Sequence, residues 1–142
     1  MLGKKAGADK LSKDRFVTIS VIGQGSYAKV FLVRDVLDGR LYAMKVLRKE
    51  KVESKKQEHH VRTERDVLAV AHDCPFLIGF RGSFQTAHRL HFVLDYCPGG
   101  ELFRRLQRCQ RFDEATARFY AAQVLLALEH LHARDIVYRD LK

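Results

Sequence analysis

No run of about 18 apolar residues occurs anywhere in the 142 residues, so no segment reads as a helix crossing a bilayer. Cysteine is scarce: Cys74, Cys97 and Cys109 stand alone, without a CxxC pair. That usage excludes a disulfide framework and fits reduced thiols in the cytoplasm or nucleus. Zinc is not expected either. No Cys or His pair has ligand spacing, and the adjacent His59 and His60 point about 100° apart on a helix. A myristoylation signal needs glycine at position 2, where Leu2 stands. Acidic charge is also short, with 17 Asp and Glu against 26 Lys and Arg, a formal net charge of +9. Such a balance raises nucleic acid as a partner. The basic residues, however, are spread along the chain and gather only briefly, at Lys4-Lys5, 48–56 and 104–111. With no aromatic-interleaved basic motif, nucleic acid is not the expected partner.

What is present is a core's worth of apolar side chains, 46% of the residues, enough for one domain or at most two. Residues 1–13 are rich in Gly, Lys and Ala without apolar period, and read as a flexible leader. From Phe16 the pattern is that of strands. Val17, Ile19 and Val21 alternate with Phe16, Thr18 and Ser20; Val30 to Val33 and Leu41 to Leu47 follow. Asp38-Gly39 between the second and third runs signals a hairpin, because both residues tolerate positive φ.

Lys49 to Lys56 reads as a loop or short helix. A longer helix then places Val61, Glu64, Val67, Leu68 and Ala71 on neighbouring faces, and Pro75 stops it. Phe76 to Phe84 and Leu90 to Leu94 read as two more strands. Pro98-Gly99-Gly100 is a break suited to a hinge. Glu101 to Leu106 predicts a short helix. Asp113 can cap a long one reaching about His132, buried along Ala117, Tyr120, Ala121, Val124, Leu125, Leu128 and Leu131.

Three places carry chemistry. Gly23-Gln24-Gly25-Ser26-Tyr27-Ala28 is a glycine-rich turn between two strands, not between a strand and a helix. That placement argues for a phosphate-covering loop and against a dinucleotide site. Glycine there lets backbone N–H groups approach phosphate oxygens; Ala28 stands where a third glycine would complete the pattern. Lys45 interrupts the apolar run Tyr42-Ala43-Met44-Lys45-Val46-Leu47. A lysine on an inner strand needs a counter-charge, which Glu64 on the following helix can supply. Lys45 is then free to grip phosphate oxygens. Asp140 follows the long helix and Ile136-Val137, where a short strand could aim it at a cleft as a catalytic base, with Lys142 beside the transferred phosphate.

These motifs occur in family order. Together with Ser83-Phe84-Gln85-Thr86-Ala87, Phe92-Val93-Leu94-Asp95-Tyr96, Gly99-Gly100-Glu101-Leu102-Phe103, Ala117 to Ala122 and Ile136 to Lys142, the chain resembles the AGC group of Ser/Thr protein kinases. Within it the chain is most similar to the serum- and glucocorticoid-regulated and ribosomal-protein kinases. The resemblance implies an α+β, protein-kinase-like fold: a five-stranded antiparallel small lobe with one main helix over 14–96. The hinge and the first helices of a truncated large lobe would occupy 97–142.

It also implies roles. Gly23, Gln24, Gly25, Ser26, Tyr27 and Ala28 would cover the ATP phosphates. Ile22, Val30, Ala43 and Leu94 would wall the adenine pocket, with Leu94 as gatekeeper. Asp95 and Cys97 would offer main-chain hydrogen bonds to the adenine edge, and Glu101 would meet the ribose or a substrate arginine. Leu68, Phe80 and Tyr138 would belong to the packed column of active kinases, and His60 would face an activation-loop phosphate. The surface of the Glu64 helix would receive a C-terminal hydrophobic tail or an upstream kinase.

The reaction that the resemblance implies is ATP-dependent phosphoryl transfer to hydroxyls of basic-directed protein substrates; the family's metal-binding Asn and DFG aspartate have no counterpart in the 142 residues. ATP and Mg²⁺ are the implied cofactors, with the metal ligands beyond the chain end. The chain alone is expected to be inactive, and the alternative is a truncated module that binds nucleotide or regulates a full-length kinase. An uncovered 113–132 helix would forfeit about 1.5–3 kcal/mol per large side chain, so aggregation or a need for a partner is expected.

Overall fold

The computed structural model describes residues 11–52, 55–70, 73–139 and 141. Five strands form one antiparallel sheet: β1 (Phe16–Gln24), β2 (Ala28–Asp35), β3 (Leu41–Arg48), β4 (Phe80–Gln85) and β5 (Arg89–Asp95), in spatial order β1-β2-β3-β5-β4. Among the described residues three α-helices accompany them: α1 (Lys55–Val70), α2 (Leu102–Cys109) and α3 (Glu114–His132). This is the expected small lobe with its main helix and the first helices beyond the hinge.

Period-two alternation divides the sheet into two apolar faces. Val33, Tyr42, Met44 and Val93 are buried on one, joined by Leu11, Phe16, Phe31, Val46 and Phe84. Leu47, Val52 and Phe92 are buried on the other, with Ala28, Val61, Phe80 and Leu90. Val61 brings α1 to this second face, so β3, with neighbours on both edges, is covered on both sides.

Residues 1–10 of the expected leader lie outside the described residues. Its last part is structured: Leu11 packs on the first core, and Lys13–Arg15 forms a 3-10 turn. The β2–β3 turn differs from the reading of two positive-φ residues, since only Gly39 (φ 70°) is left-handed. Asp38 serves with its carboxylate, accepting the Arg40 N–H at 2.8 Å and the Tyr42 hydroxyl at 2.7 Å. The apolar side chains of β1 are not the covered ones: Val17, Ile19 and Val21 are about half exposed, while Phe16 enters the core. β1 is an edge strand with two irregularities in its pairing to β2, and alternation marks a face without saying what covers it.

The expected strand at Phe76 begins instead at Phe80. Pro75 starts a turn in which the Leu77 N–H donates to the Cys74 carbonyl at 3.2 Å, and Cys74 is buried beneath it. The 49–56 stretch splits into a 3-10 turn, Lys49–Lys51, and the start of α1; residues 53 and 54, like Ala71, lie outside the described residues.

α2 runs to Cys109, beyond the expected Leu106, and ends at Gln110 with φ 63°. α3 has the expected bounds. Asp113 Oδ1 accepts the Thr116 N–H at 2.6 Å, which satisfies one of the first-turn donors and holds the Asp113 carboxyl below its usual range. The expected burial of α3 is only partly realised. Leu131 is buried and Tyr120, Val124 and Leu128 are half-buried, but Ala117, Ala121 and Leu125 are exposed, as is Phe119. Ile136-Val137 is not a strand. The Arg134 and Ile136 N–H groups fold back onto the Leu131 carbonyl, and Asp135 takes φ 58°, which turns the chain tightly as the helix ends.

Candidate nucleotide site

The glycine-rich turn joins β1 to β2. The Gly25 N–H donates to the Ala28 carbonyl at 2.9 Å and closes the turn. Gly23 pairs with Val30 across the strands, where an added Cβ would lie 3.4 Å from the Val30 Cβ. That is an ordinary van der Waals distance, so the strand spacing alone does not demand glycine here. Gln24, Ser26 and Tyr27 are exposed at the turn. The carbonyl oxygen of Ser26 accepts from Lys51 Nζ at 3.1 Å, a tie between the turn and the β3–α1 connection.

Beneath the turn the register assembles one face. Val30 stands opposite Lys45, Lys45 opposite Phe92, and Ala43 opposite Leu94. Directly opposed residues of antiparallel strands share a side, so Val30, Ala43, Lys45 and Leu94 lie together. Ala43 is buried, Val30 and Leu94 are half-buried, and Ile22 is exposed. This is the same face that α1 covers. Lys45 Nζ meets Glu64 Oε1 there at 2.5 Å, with side chains 26% and 39% exposed. The pair is partly shielded yet open to solvent.

At the end of β5 the Asp95 N–H donates to the Gly79 carbonyl at 2.8 Å. Cys97 is exposed and its carbonyl accepts from the Gly100 N–H at 3.3 Å, a turn that Gly100 enters with φ 72°. Glu101 precedes α2, and its side chain makes no capping bond, so an exposed carboxylate stands beside the hinge. Asp140 and Lys142 lie outside the described residues.

Phe80 packs edge-on against Phe92 with ring centroids 6.3 Å apart, and Tyr138 is 52% exposed. His60 is exposed on α1. A groove of about 570 Å³ lies between α1 and strands β4 and β5, lined by Val52, Val61, Leu90 and Phe92 together with Arg62 and Arg65. It occupies the surface where a hydrophobic tail was expected. A larger cavity of about 1420 Å³ lies on the opposite side of the sheet and contains neither the glycine turn nor Lys45.

Among the described residues, no three His, Cys, Asp or Glu side chains gather to hold a metal ion.

Sequence reasoning missed several residues. Lys51 was one basic residue in a charged run, and nothing local distinguished it. Arg81, 14 residues before the expected Asp95, meets it at 2.7 Å. Arg15 and Asp35 are 20 apart; Arg15 Nε donates to Asp35 Oδ2 at 2.8 Å, and this guanidinium, opposed by burial, holds the Asp35 carboxyl below its usual range. Two charged residues at either end of a hairpin were the available signal.

The protein kinase domain family matches residues 16–142. Serine/threonine-protein kinase Sgk2 of Homo sapiens is 50% identical over 141 residues, covering 99% of this chain and 38% of that protein. Ribosomal protein S6 kinase alpha-4 of Mus musculus is 49% identical over 138 residues, covering 94% of this chain and 18% of that protein. Serine/threonine-protein kinase Sgk1 of Fundulus heteroclitus is 52% identical over 127 residues, covering 89% and 30%. The chain thus spans well under half the length of these relatives. The match runs through all five strands and through both partners of the Lys45–Glu64 pair, and the chain belongs to the protein kinase family.

Proposed function

We propose that this chain is the nucleotide-binding part of a Ser/Thr protein kinase, which transfers the γ-phosphoryl group of ATP to a hydroxyl of a protein substrate. The Lys45–Glu64 pair carries the reading. Glu64 holds the ammonium on the sheet face beneath the glycine turn, where it can meet phosphate oxygens without first being positioned. The turn supplies backbone N–H donors over the same phosphates. Val30, Ala43 and Leu94 supply an apolar surface for the base, and the main chain at Asp95 and Cys97 supplies its polar edge.

Asp140 is assigned to orient the attacking hydroxyl and Lys142 to accompany the transferred phosphate. Mg²⁺, when bound with ATP, neutralises phosphate charge. Glu101, exposed beside the hinge, suits basic-directed substrates. The groove on α1 suits an apolar tail segment or an activating kinase, since Val52, Val61, Leu90 and Phe92 line it. The three unpaired thiols suit the cytoplasm or the nucleus.

A second reading is a nucleotide-binding module without catalysis. The observation favouring it is that residues suited to phosphates and base are present, while no metal-holding cluster stands among the described residues.

The test is nucleotide titration of the chain and of Lys45→Met, with phosphate incorporation into a basic peptide measured in parallel. Incorporation that disappears in Asp140→Asn supports the kinase. Binding that weakens in Lys45→Met, with no incorporation, supports the module. An absence of nucleotide binding by the unsubstituted chain overturns both.

A further inference from the structure

Strand β4 is not regular. Phe80 pairs with Leu94 and Gly82 with Val93, which leaves Arg81 as the extra residue of a bulge. Gly82 takes φ 141°, a conformation strained for any residue with a Cβ, and Leu11 Cδ1 lies 2.6 Å from where that Cβ would be. The backbone conformation therefore calls for glycine here, while the end of the Leu11 side chain could move aside. Bulges re-aim side chains. This one accompanies Arg81 turned onto the end of β5, where its Nε donates to Asp95 Oδ1 at 2.7 Å.

Asp95 is held a second and a third time. Its N–H donates to the Gly79 carbonyl at 2.8 Å. Its other carboxylate oxygen occupies the space that a side chain at Gly79 would need, since a Cβ there would fall 2.1 Å from Oδ2. Residues 79–81 thus grip the side chain and the amide of the last residue of β5. With its N–H committed, the main-chain group that Asp95 can offer an adenine is its carbonyl oxygen, an acceptor for the 6-amino group.

We infer that Arg81 is a positioning residue for the nucleotide base: by clamping the Asp95 carboxylate, it fixes the backbone carbonyl that accepts the 6-amino hydrogen. The inference rests on the nucleotide reading above. Both side chains are more than a third exposed, so the ion pair adds little to global stability. Its effect is to hold one orientation of the acceptor before the base arrives, which reduces what binding must order.

The experiment compares ATP with purine riboside triphosphate, which lacks the 6-amino group, on the chain, on Arg81→Gln and on Gly79→Ala. Hydrogen exchange of the Asp95 amide is measured on the same three proteins. Both substitutions are expected to weaken ATP roughly three- to ten-fold, the range of one hydrogen bond. They should leave the purine nucleotide within about two-fold, and exchange at Asp95 should quicken in both. A merely structural role would weaken both nucleotides alike, and that result overturns the inference. So does an unsubstituted chain that binds both nucleotides equally. If that chain binds neither, the nucleotide reading itself fails, and unchanged exchange at Asp95 in Arg81→Gln would show separately that no clamp exists.

Discussion

Lys45 Nζ and Glu64 Oε1 stand 2.5 Å apart, although 19 residues of sequence separate the strand that carries one from the helix that carries the other. The pair links the sheet to α1 on the face beneath the glycine turn. An ammonium placed there without a partner would repel neighbouring positive charge and wander in rotamer. With Glu64 in place it has one position.

Breaking the pair should affect nucleotide binding more than folding. Both side chains are partly open to water, so Lys45→Met or Glu64→Gln should change stability by no more than about 1 kcal/mol. Nucleotide affinity should fall about ten-fold or more, as expected for a charge-assisted bond of about 1.5–3 kcal/mol. Thermal melts and nucleotide titration on the same samples check this. A large melting shift with unchanged affinity would mean that the pair is structural.

Lys51 ties the glycine turn to the β3–α1 connection through the Ser26 carbonyl. Lys51→Met removes the donor and keeps most of the stem. Amide exchange at Gly25, Ser26 and Tyr27 should quicken while exchange in β3 and β5 stays the same. Uniform change across the sheet, or none at the turn, would refute the tie.

Asp35 is almost fully buried and its carboxyl is held low by Arg15, aided by the Leu37 N–H. The folded form therefore releases its proton more readily than the unfolded chain, whose value is 3.8. Stability from this pair is complete above that value and is lost as pH falls below it, through the lower folded value. Arg15→Ala should cost about 1.5–3 kcal/mol at neutral pH. Asp35→Asn should be destabilising at neutral pH and remove this part of the acid slope, read by denaturant unfolding from pH 6 to pH 2. An unchanged slope would contradict the assignment.

His91 lies flat on Phe84, ring centroids 4.4 Å apart, and neither ring nitrogen has a hydrogen-bond partner among the described residues. Burial first, then Arg89 and Lys13, push its pKa below the ordinary 6.5. As pH falls from 6.5 the unfolded chain takes up a proton that the folded form resists, so stability declines toward the folded value. His91→Phe keeps the stacking and removes both orphaned nitrogens. It should flatten the decline between pH 7 and pH 5 and leave neutral-pH stability equal or higher. A steeper decline in the variant would sink this account.

Local physics made much of the molecule legible in the sequence. Short apolar runs located β2, β3 and β5, Asp113 marked the start of α3, and the unmatched charge of Lys45 called for Glu64. Each of these signals acts over a few residues, or follows from the cost of leaving one charged group unpaired. Tertiary structure alone decided which apolar faces are covered, as the exposed Val17, Ile19 and Val21 of β1 and Leu125 of α3 demonstrate. It also replaced the expected start of β4 with a turn after Pro75 and placed Arg81 in a bulge. A periodic pattern records that a face is apolar; the chain brought against that face comes from residues far away in sequence, and their register sets the contact. The Arg81–Asp95 and Lys51–Ser26 contacts exist only because folding closes those distances.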